Sequence, residues 1–229
     1  MKLLIGNKCY SSWSLRAWLL MRATGIAFEE TLVLLDAPGF KETVYAEAPL
    51  SGGTVPTLVD GDIAVWETLA IAEYLHEKHP AAGIWPREPA ARAHARAVSS
   101  EMHAGFTALR GACPMNLGKR YAARDRGPAV TRDVERITTI WREARERFGK
   151  AGSGPFLYGN FSAADAMFAP VVTRLDTYGI AVDAVSQSYM RSILTLPAYR
   201  QWLAAALSEP WIVAHDEVDE PALVDLRHS

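Results

Sequence analysis

Tyr10-Ser11-Ser12-Trp13-Ser14-Leu15-Arg16 decides the reading of this chain, because it sets hydroxyl groups between a short apolar segment and the start of a helix. Upstream, Lys2-Leu3-Leu4-Ile5 has the character of a buried strand. Downstream, Leu15, Trp18, Leu19 and Ala23 recur at helical spacing until Gly25 stops the pattern. The first turn of a helix holds N–H groups without intrahelical acceptors, and its dipole favours negative charge, so an anion fits just beyond the strand. A thiolate is one such anion, and a serine hydroxyl at that point gives it a further hydrogen bond. The same serines can equally serve as helix caps.

Working outward, residues 28–35 have the composition of a second strand and run into a break at Pro38-Gly39. Thr54-Val55-Pro56-Thr57-Leu58-Val59, the turn Asp60-Gly61 and Ile63-Ala64-Val65 read as a β-hairpin, since Asp-Gly supplies the positive φ angles of such turns. A helix follows from Glu67-Thr68, carries Ile71, Tyr74 and Leu75 on one face, and ends before Pro80. A βαβ unit followed by a ββα unit is the arrangement of the thioredoxin fold. Pro56 at the head of a strand suits an edge or bulge and is a candidate for a cis bond. In this order the turn at Ser11, the residue before Pro56 and the helix start at Glu67-Thr68 converge on one end of the sheet.

In order and spacing, Ser-Ser-x-Ser-x-Arg from Ser11, Val-Pro-Thr-Leu from Val55 and Glu-Thr-x-Ala-Ile-x-Glu-Tyr-Leu from Glu67 resemble the cytosolic glutathione transferases. The nearest class is the serine-type zeta class, that of maleylacetoacetate isomerase. The resemblance implies glutathione as co-substrate, no metal, and a small electrophile as the second substrate. It places the catalytic serine on Ser11, with Ser12 as the alternative. Val55 would pair through its backbone with the cysteinyl part of the tripeptide, and Glu67 and Thr68 would hold the γ-glutamyl end. Lys41 is the candidate for the glycyl carboxylate, and Arg16 for positive potential near the sulfur. Trp13, Met115, Asn116 and Tyr121 are the candidates for the second-substrate pocket. Where the zeta class has Ser-Ser-Cys this chain has Ser11-Ser12-Trp13, a departure that leaves simple conjugation as the leading expectation and isomerisation as the alternative.

The 229 residues carry a formal charge of −2, 49% hydrophobic residues and two cysteines, which describes a globular chain long enough for two domains. No charge excess calls for nucleic acid or an acidic membrane surface, and no apolar run of about eighteen residues offers a membrane span. A cytosolic location and a homodimer are the expectations that go with the resemblance. Residues 81–89, with their prolines, read as a linker between a thioredoxin-like domain at 1–80 and an all-α domain at 90–229.

In that second part, residues 90–112 read as one long helix broken at Cys113-Pro114. Another helix carries Val134, Ile137, Trp141, Ala144 and Phe148. Ser162-Ala163-Ala164-Asp165 has the form of a capping box opening a helix that Pro170 should kink. Further helices lie near 185–194 and 198–207, and the tail after Glu209 has no assignment. Two other classes of function compete: thiol–disulfide chemistry at Cys9, and a binding protein that keeps the fold without turnover.

Overall fold

The computed structural model describes residues 1–151 and 154–227. Its first part runs β1 (Lys2–Ile5), α1 (Ser12–Ala23), β2 (Glu29–Leu32), α2 (Phe40–Glu47), β3 (Thr57–Asp60), β4 (Ile63–Trp66) and α3 (Thr68–Lys78). The strands lie in the order β2-β1-β3-β4, with β1 parallel to β2 and the other neighbours antiparallel. β1 is central because Leu3, Leu4 and Ile5 are wholly buried, which an edge or one-sided strand would not allow. The β3–β4 hairpin turns on Gly61-Asp62, with Gly61 at φ +60, and the Val55–Pro56 bond that precedes β3 is cis.

The expected second strand is cut to Glu29–Leu32, and α2, absent from the sequence reading, follows Gly39. Its one buried residue, Val44, packs with Leu4 and Val33 on the sheet face opposite α1 and α3.

The second part is helical: α4 (Pro89–Ala104), α5 (Thr107–Ala112), α6 (Pro128–Phe148), α7 (Ala163–Thr177), α8 (Ala184–Leu194) and α9 (Pro197–Ser208). The helix expected over 90–112 is two helices. Gly105 is extended (φ −105°, ψ −166°) and Phe106 takes a left-handed φ of 57°. A side chain at Gly105 would stand 2.8 Å from the Glu101 carbonyl oxygen, and the turn lets Phe106 enter the core while Asp133 accepts from the Leu109 N–H at 2.9 Å. α7 continues through Pro170 to Thr177 and is buried on nearly every side, packed against α1 and α4. Its capping box is formed: Ser162 N–H donates to Asp165 Oδ2 at 2.9 Å, and burial pushes the Asp165 carboxyl up to about 6.

One ribbon was not foreseen. The tail returns as β6 (Ala222–Asp225) and pairs antiparallel with β5 (Lys119–Tyr121). A continuous core joins the two parts, with Trp18 of α1 meeting Trp202 of α9 at 5.2 Å between ring centres. Among the described residues no helix is long and apolar enough to cross a membrane.

Candidate active site

Ser11 is the N-cap of α1, and the turn that delivers it is closed by Tyr10 N–H and Ser11 N–H donating to the Asn7 carbonyl (3.1 and 2.8 Å). Its hydroxyl donates to Ser14 Oγ at 2.7 Å and accepts from Ser14 N–H at 3.3 Å, while Ser14 Oγ accepts from Gly6 N–H at 2.9 Å. Gly6, Ser14 and Ser11 thus form a chain from β1 into the cleft. Because Ser14 Oγ already accepts from a backbone N–H, its own proton can turn toward Ser11. The Ser11 proton is then free to point outward without any heavy atom moving. Ser12 lies one residue on, half-buried, with no side-chain partner in such a chain.

Ser11, Ser12, Trp13, Val55 and Arg174 line a cavity of about 350 Å³. A second cavity of about 320 Å³ shares Trp13, Thr54 and Val55 with it and adds Pro56, Glu67, Thr68 and His103, so the two form one cleft across the end of the sheet. Six of the residues singled out in the sequence therefore meet: Ser11, Ser12, Trp13, Val55, Glu67 and Thr68. Glu67 stands at a left-handed φ of 68°, a conformation that costs a non-glycine residue about 1–3 kcal/mol and marks it for scrutiny. Its carboxylate is half exposed and 3.5 Å from His103 Nε2, and the Thr68 hydroxyl is buried with no hydrogen-bond partner among the described residues. A larger cavity of about 620 Å³ lies apart, behind the linker between Trp85 and Tyr158, and none of these residues lines it.

Four expected residues do not line the cleft. Lys41 is exposed in the first turn of α2. Met115, Asn116 and Tyr121 are buried: Met115 in the core, Asn116 with its Nδ2 donating to Glu217 of the tail at 3.0 Å, and Tyr121 stacked on Tyr178 with ring centres 5.1 Å apart. The tail after Glu209, unassigned in the sequence, covers the face they would have presented.

The helical domain supplies what sequence reasoning missed. Arg174 reaches the cleft from α7, His103 from α4, and His215 and Asp216 from the tail. The available signal was an arginine in a helix that is mostly apolar between Asp165 and Asp176. Burial, with Arg110 nearby, brings the Arg174 guanidinium down to about 10. Arg16 is buried behind Trp13, its guanidinium 4.3 Å from the ring, with Nε and Nη1 donating to the carbonyls of Met167 and Ser12.

Two neighbours are committed elsewhere. The Tyr10 hydroxyl donates to Glu217 at 2.6 Å and accepts from Arg227 at 2.7 Å, so it is not free to face a thiol. Cys9 is fully buried, its sulfur accepts from Arg227 at 2.8 Å, and burial pushes its thiol up, which leaves thiol–disulfide exchange without an accessible nucleophile. The turn itself is held from the far end of the chain. Glu209 accepts from Lys8 N–H and Cys9 N–H (2.9 and 3.3 Å), and Trp202 Nε1 donates to the Lys8 carbonyl at 2.9 Å.

Comparison with known proteins agrees with this arrangement. The family model described as glutathione S-transferase, N-terminal domain, matches residues 10–78, and that of the glutathione S-transferase C-terminal domain matches residues 127–205. A probable maleylacetoacetate isomerase of Caenorhabditis elegans is 30% identical over 55% of this chain and 58% of its own length. The maleylacetoacetate isomerase of Rattus norvegicus is 26% identical over 74% and 75%. Among solved structures, a glutathione transferase homologue from Burkholderia with bound glutathione superposes with a TM-score of 0.65 at 24% identity, covering 90% of this chain and 96% of that one. A maleylacetoacetate isomerase from Methylobacterium extorquens, bound to malonate and glutathione, does so at 0.62 and 27%, covering 92% and 98%. With a thioredoxin-like domain followed by a helical one and both halves matched, the chain belongs to the glutathione S-transferase family of enzymes.

Proposed function

We propose that this enzyme adds the thiolate of glutathione to a small electrophile, with Ser11 as the residue that stabilises the thiolate. The observation that carries the assignment to Ser11 is the chain from Gly6 N–H through Ser14 Oγ to Ser11 Oγ at the mouth of α1. A free thiol has a pKa of about 8.5, so at neutral pH only a few per cent is the nucleophilic thiolate. When the thiol binds, Ser11 turns its proton from Ser14 to the sulfur and Ser14 turns its own proton to Ser11, while the free N–H groups of the first helical turn add their dipole. No basic side chain has to accept the proton. Val55 offers its N–H and C=O to the peptide backbone of the ligand, Glu67 faces its ammonium, and the unpartnered Thr68 hydroxyl takes its carboxylate.

The relatives named maleylacetoacetate isomerase favour a second reading, in which the same thiolate adds to a double bond and leaves after rotation. Trp13 at the third motif position gives conjugation the lead. The family resemblance further supports a cytosolic homodimer, which sedimentation at equilibrium tests. Two assays together test the enzyme itself: retention on immobilised glutathione, and conjugation of chlorodinitrobenzene. Retention with no turnover of that or any isomerisable substrate overturns the reading in favour of a binding protein.

A further inference from the structure

We infer that Asp216 hands a proton to the second substrate and is recharged from solvent through His215, so that the cleft is suited to conjugated enones, whose addition to a thiolate creates an oxyanion. The inference rests on the reading of the cleft as a glutathione-dependent active site.

Among the described residues Asp216 is the one carboxylate that lines the cavity of Ser11. It stands in the short turn Ala214–Asp216 of the tail, where its N–H donates to the Val213 carbonyl at 3.1 Å. His215 Nε2 lies 3.7 Å from Asp216 Oδ2, and His215 Nδ1 lies 2.9 Å from Asp36 Oδ2. The Asp216 side chain is 23% exposed, against 63% for His215 and 56% for Asp36, so this line of titratable groups leads from the cavity to solvent.

The charged groups that face Asp216 are Arg174 of α7, His215 and Glu217 of the tail, and Asp36 of the loop before α2. Burial outweighs the two cations and raises the carboxyl above its ordinary value. A thiolate at Ser11 adds a like charge to the same cavity, and like charges sharing a site push a carboxyl further toward its protonated form. The sulfur is then the ionised member of the pair and Asp216 the protonated one. Two groups whose environments drive their titrations apart make a nucleophile and an acid.

An aryl halide has no use for that proton, because chloride leaves as an anion. An enone does. The sulfur bonds to its β-carbon, the double-bond pair moves into the enolate, and the Asp216 proton passes to the carbonyl oxygen as charge arrives there. The enol returns to the ketone in water. Asp216 regains a proton from water through His215, matching the one that left the thiol, so no further reactant is required.

The test uses the full-length enzyme with glutathione, phenylbutenone as the enone and chlorodinitrobenzene as the aryl halide. The readout is the ratio of kcat/KM for enone over halide against pH, in which the thiolate fraction common to both reactions cancels. Asp216→Asn is expected to lower the ratio about 100-fold, the low end for one positioned acid, and Asp216→Glu to restore part of it. In the wild type the ratio falls as pH rises through the Asp216 midpoint, because only the protonated carboxyl donates; in Asp216→Asn it is flat. His215→Gln slows steady-state turnover of the enone more than its first turnover.

Turnover of the halide but not the enone, a ratio untouched by Asp216→Asn, or a wild-type ratio that does not fall with pH overturns the inference and leaves the glutathione reading intact. Equal slowing of first and later turnovers in His215→Gln overturns the recharging route. Should Asp216→Asn fail to fold, Asp216→Glu decides, since a changed acid moves the pH at which the ratio falls and an unmoved fall refutes the role. If the wild type turns over neither compound, the glutathione reading fails and this inference falls with it.

Discussion

Replacing Ser11 by alanine removes one donor from the thiolate site, and its effect can be worked out from the turn around it. Among the described residues Ser11 Oγ has Ser14 as its hydrogen-bond partner, donating to Ser14 Oγ, so rotation of its proton away from Ser14 makes it available to a sulfur. A hydrogen bond to a charged group is worth about 1.5–3 kcal/mol, which corresponds to roughly one to two pKa units on the bound thiol. The first-turn N–H groups remain in the variant and continue to supply about 0.3–1 kcal/mol. The sign follows from which form is favoured. On the proposed mechanism the hydroxyl stabilises the anion, so the wild-type thiol titrates below its free value, and Ser11→Ala moves it back up.

Turnover follows the thiolate fraction, so the loss should be roughly 10- to 100-fold below the wild-type midpoint and should shrink toward nothing once the pH exceeds the variant's midpoint. The assay is the pH–rate profile for conjugation under saturating glutathione, supported by thiolate absorbance of the binary complex. Loss of the cap costs about 1 kcal/mol of stability, small enough to keep the variant folded. A variant slowed equally at every pH would refute the reasoning, because the serine would then act on something other than the thiol's ionisation. A shift that appears in Ser12→Ala and not in Ser11→Ala would move the role by one residue.

Ser14→Ala should shift the same pH–rate midpoint in the same direction but by less, since it removes the second member of the chain and leaves the first; an unmoved midpoint would show that Ser11 acts without Ser14. Removing the Glu67 carboxylate as Glu67→Ala should weaken glutathione by roughly 1.5–3 kcal/mol in calorimetry, with little change in the thiol midpoint. Glu67→Gly should weaken it as much while raising the thermal midpoint, because relief of a positive φ is worth on the order of 1 kcal/mol. Asp165 is held up to about 6 by burial, against about 3.9 in an unfolded chain, so the folded state keeps a proton that the unfolded state has lost. Stability from this group is therefore full below about 3.9 and falls, by up to about 3 kcal/mol, as pH rises through 6. Urea denaturation should show that slope in the wild type and a flatter one, at lower overall stability, in Asp165→Asn.

What could be read in the sequence was local. β1, α1, the β3–β4 hairpin and α3 each announce themselves by periodicity and turn residues within a few positions, and Ser11, Ser12, Val55, Glu67 and Thr68 sit at their ends. α2 did not, because eight residues with a single buried Val44 carry almost no pattern. The break at Gly105-Phe106 did not either. Glycine within a helix costs only about 1 kcal/mol, and what settles the matter is Asp133, some two dozen residues on, accepting from the Leu109 N–H. The misplaced pocket residues Met115, Asn116 and Tyr121 lie where a helix end faces outward in sequence terms; Met115 belongs to the core, Asn116 is bonded to Glu217 about a hundred residues on, and Tyr121 pairs in β5 with β6 and stacks on Tyr178.

The same distance in sequence separates the turn that carries Ser11 from what steadies it. In residues 7–10 the Asn7 carbonyl closes the turn locally, while Glu209 accepts from the Lys8 and Cys9 N–H groups, Trp202 donates to the Lys8 carbonyl, and Leu117 N–H donates to the Cys9 carbonyl at 3.2 Å. A hydroxyl stabilises a thiolate only when it is held in place before the ligand arrives, since any freedom it keeps is subtracted from the hydrogen bond it can give. The helical domain thus does two things for a site whose motifs all lie in the first eighty residues. It offers Arg174 and His103 to the cleft, and it fixes the turn from behind through α9 and the tail. A chain cut after α3 would retain the Ser11, Val55 and Glu67-Thr68 motifs and lose the contacts from Glu209 and Trp202 that hold the turn before Ser11.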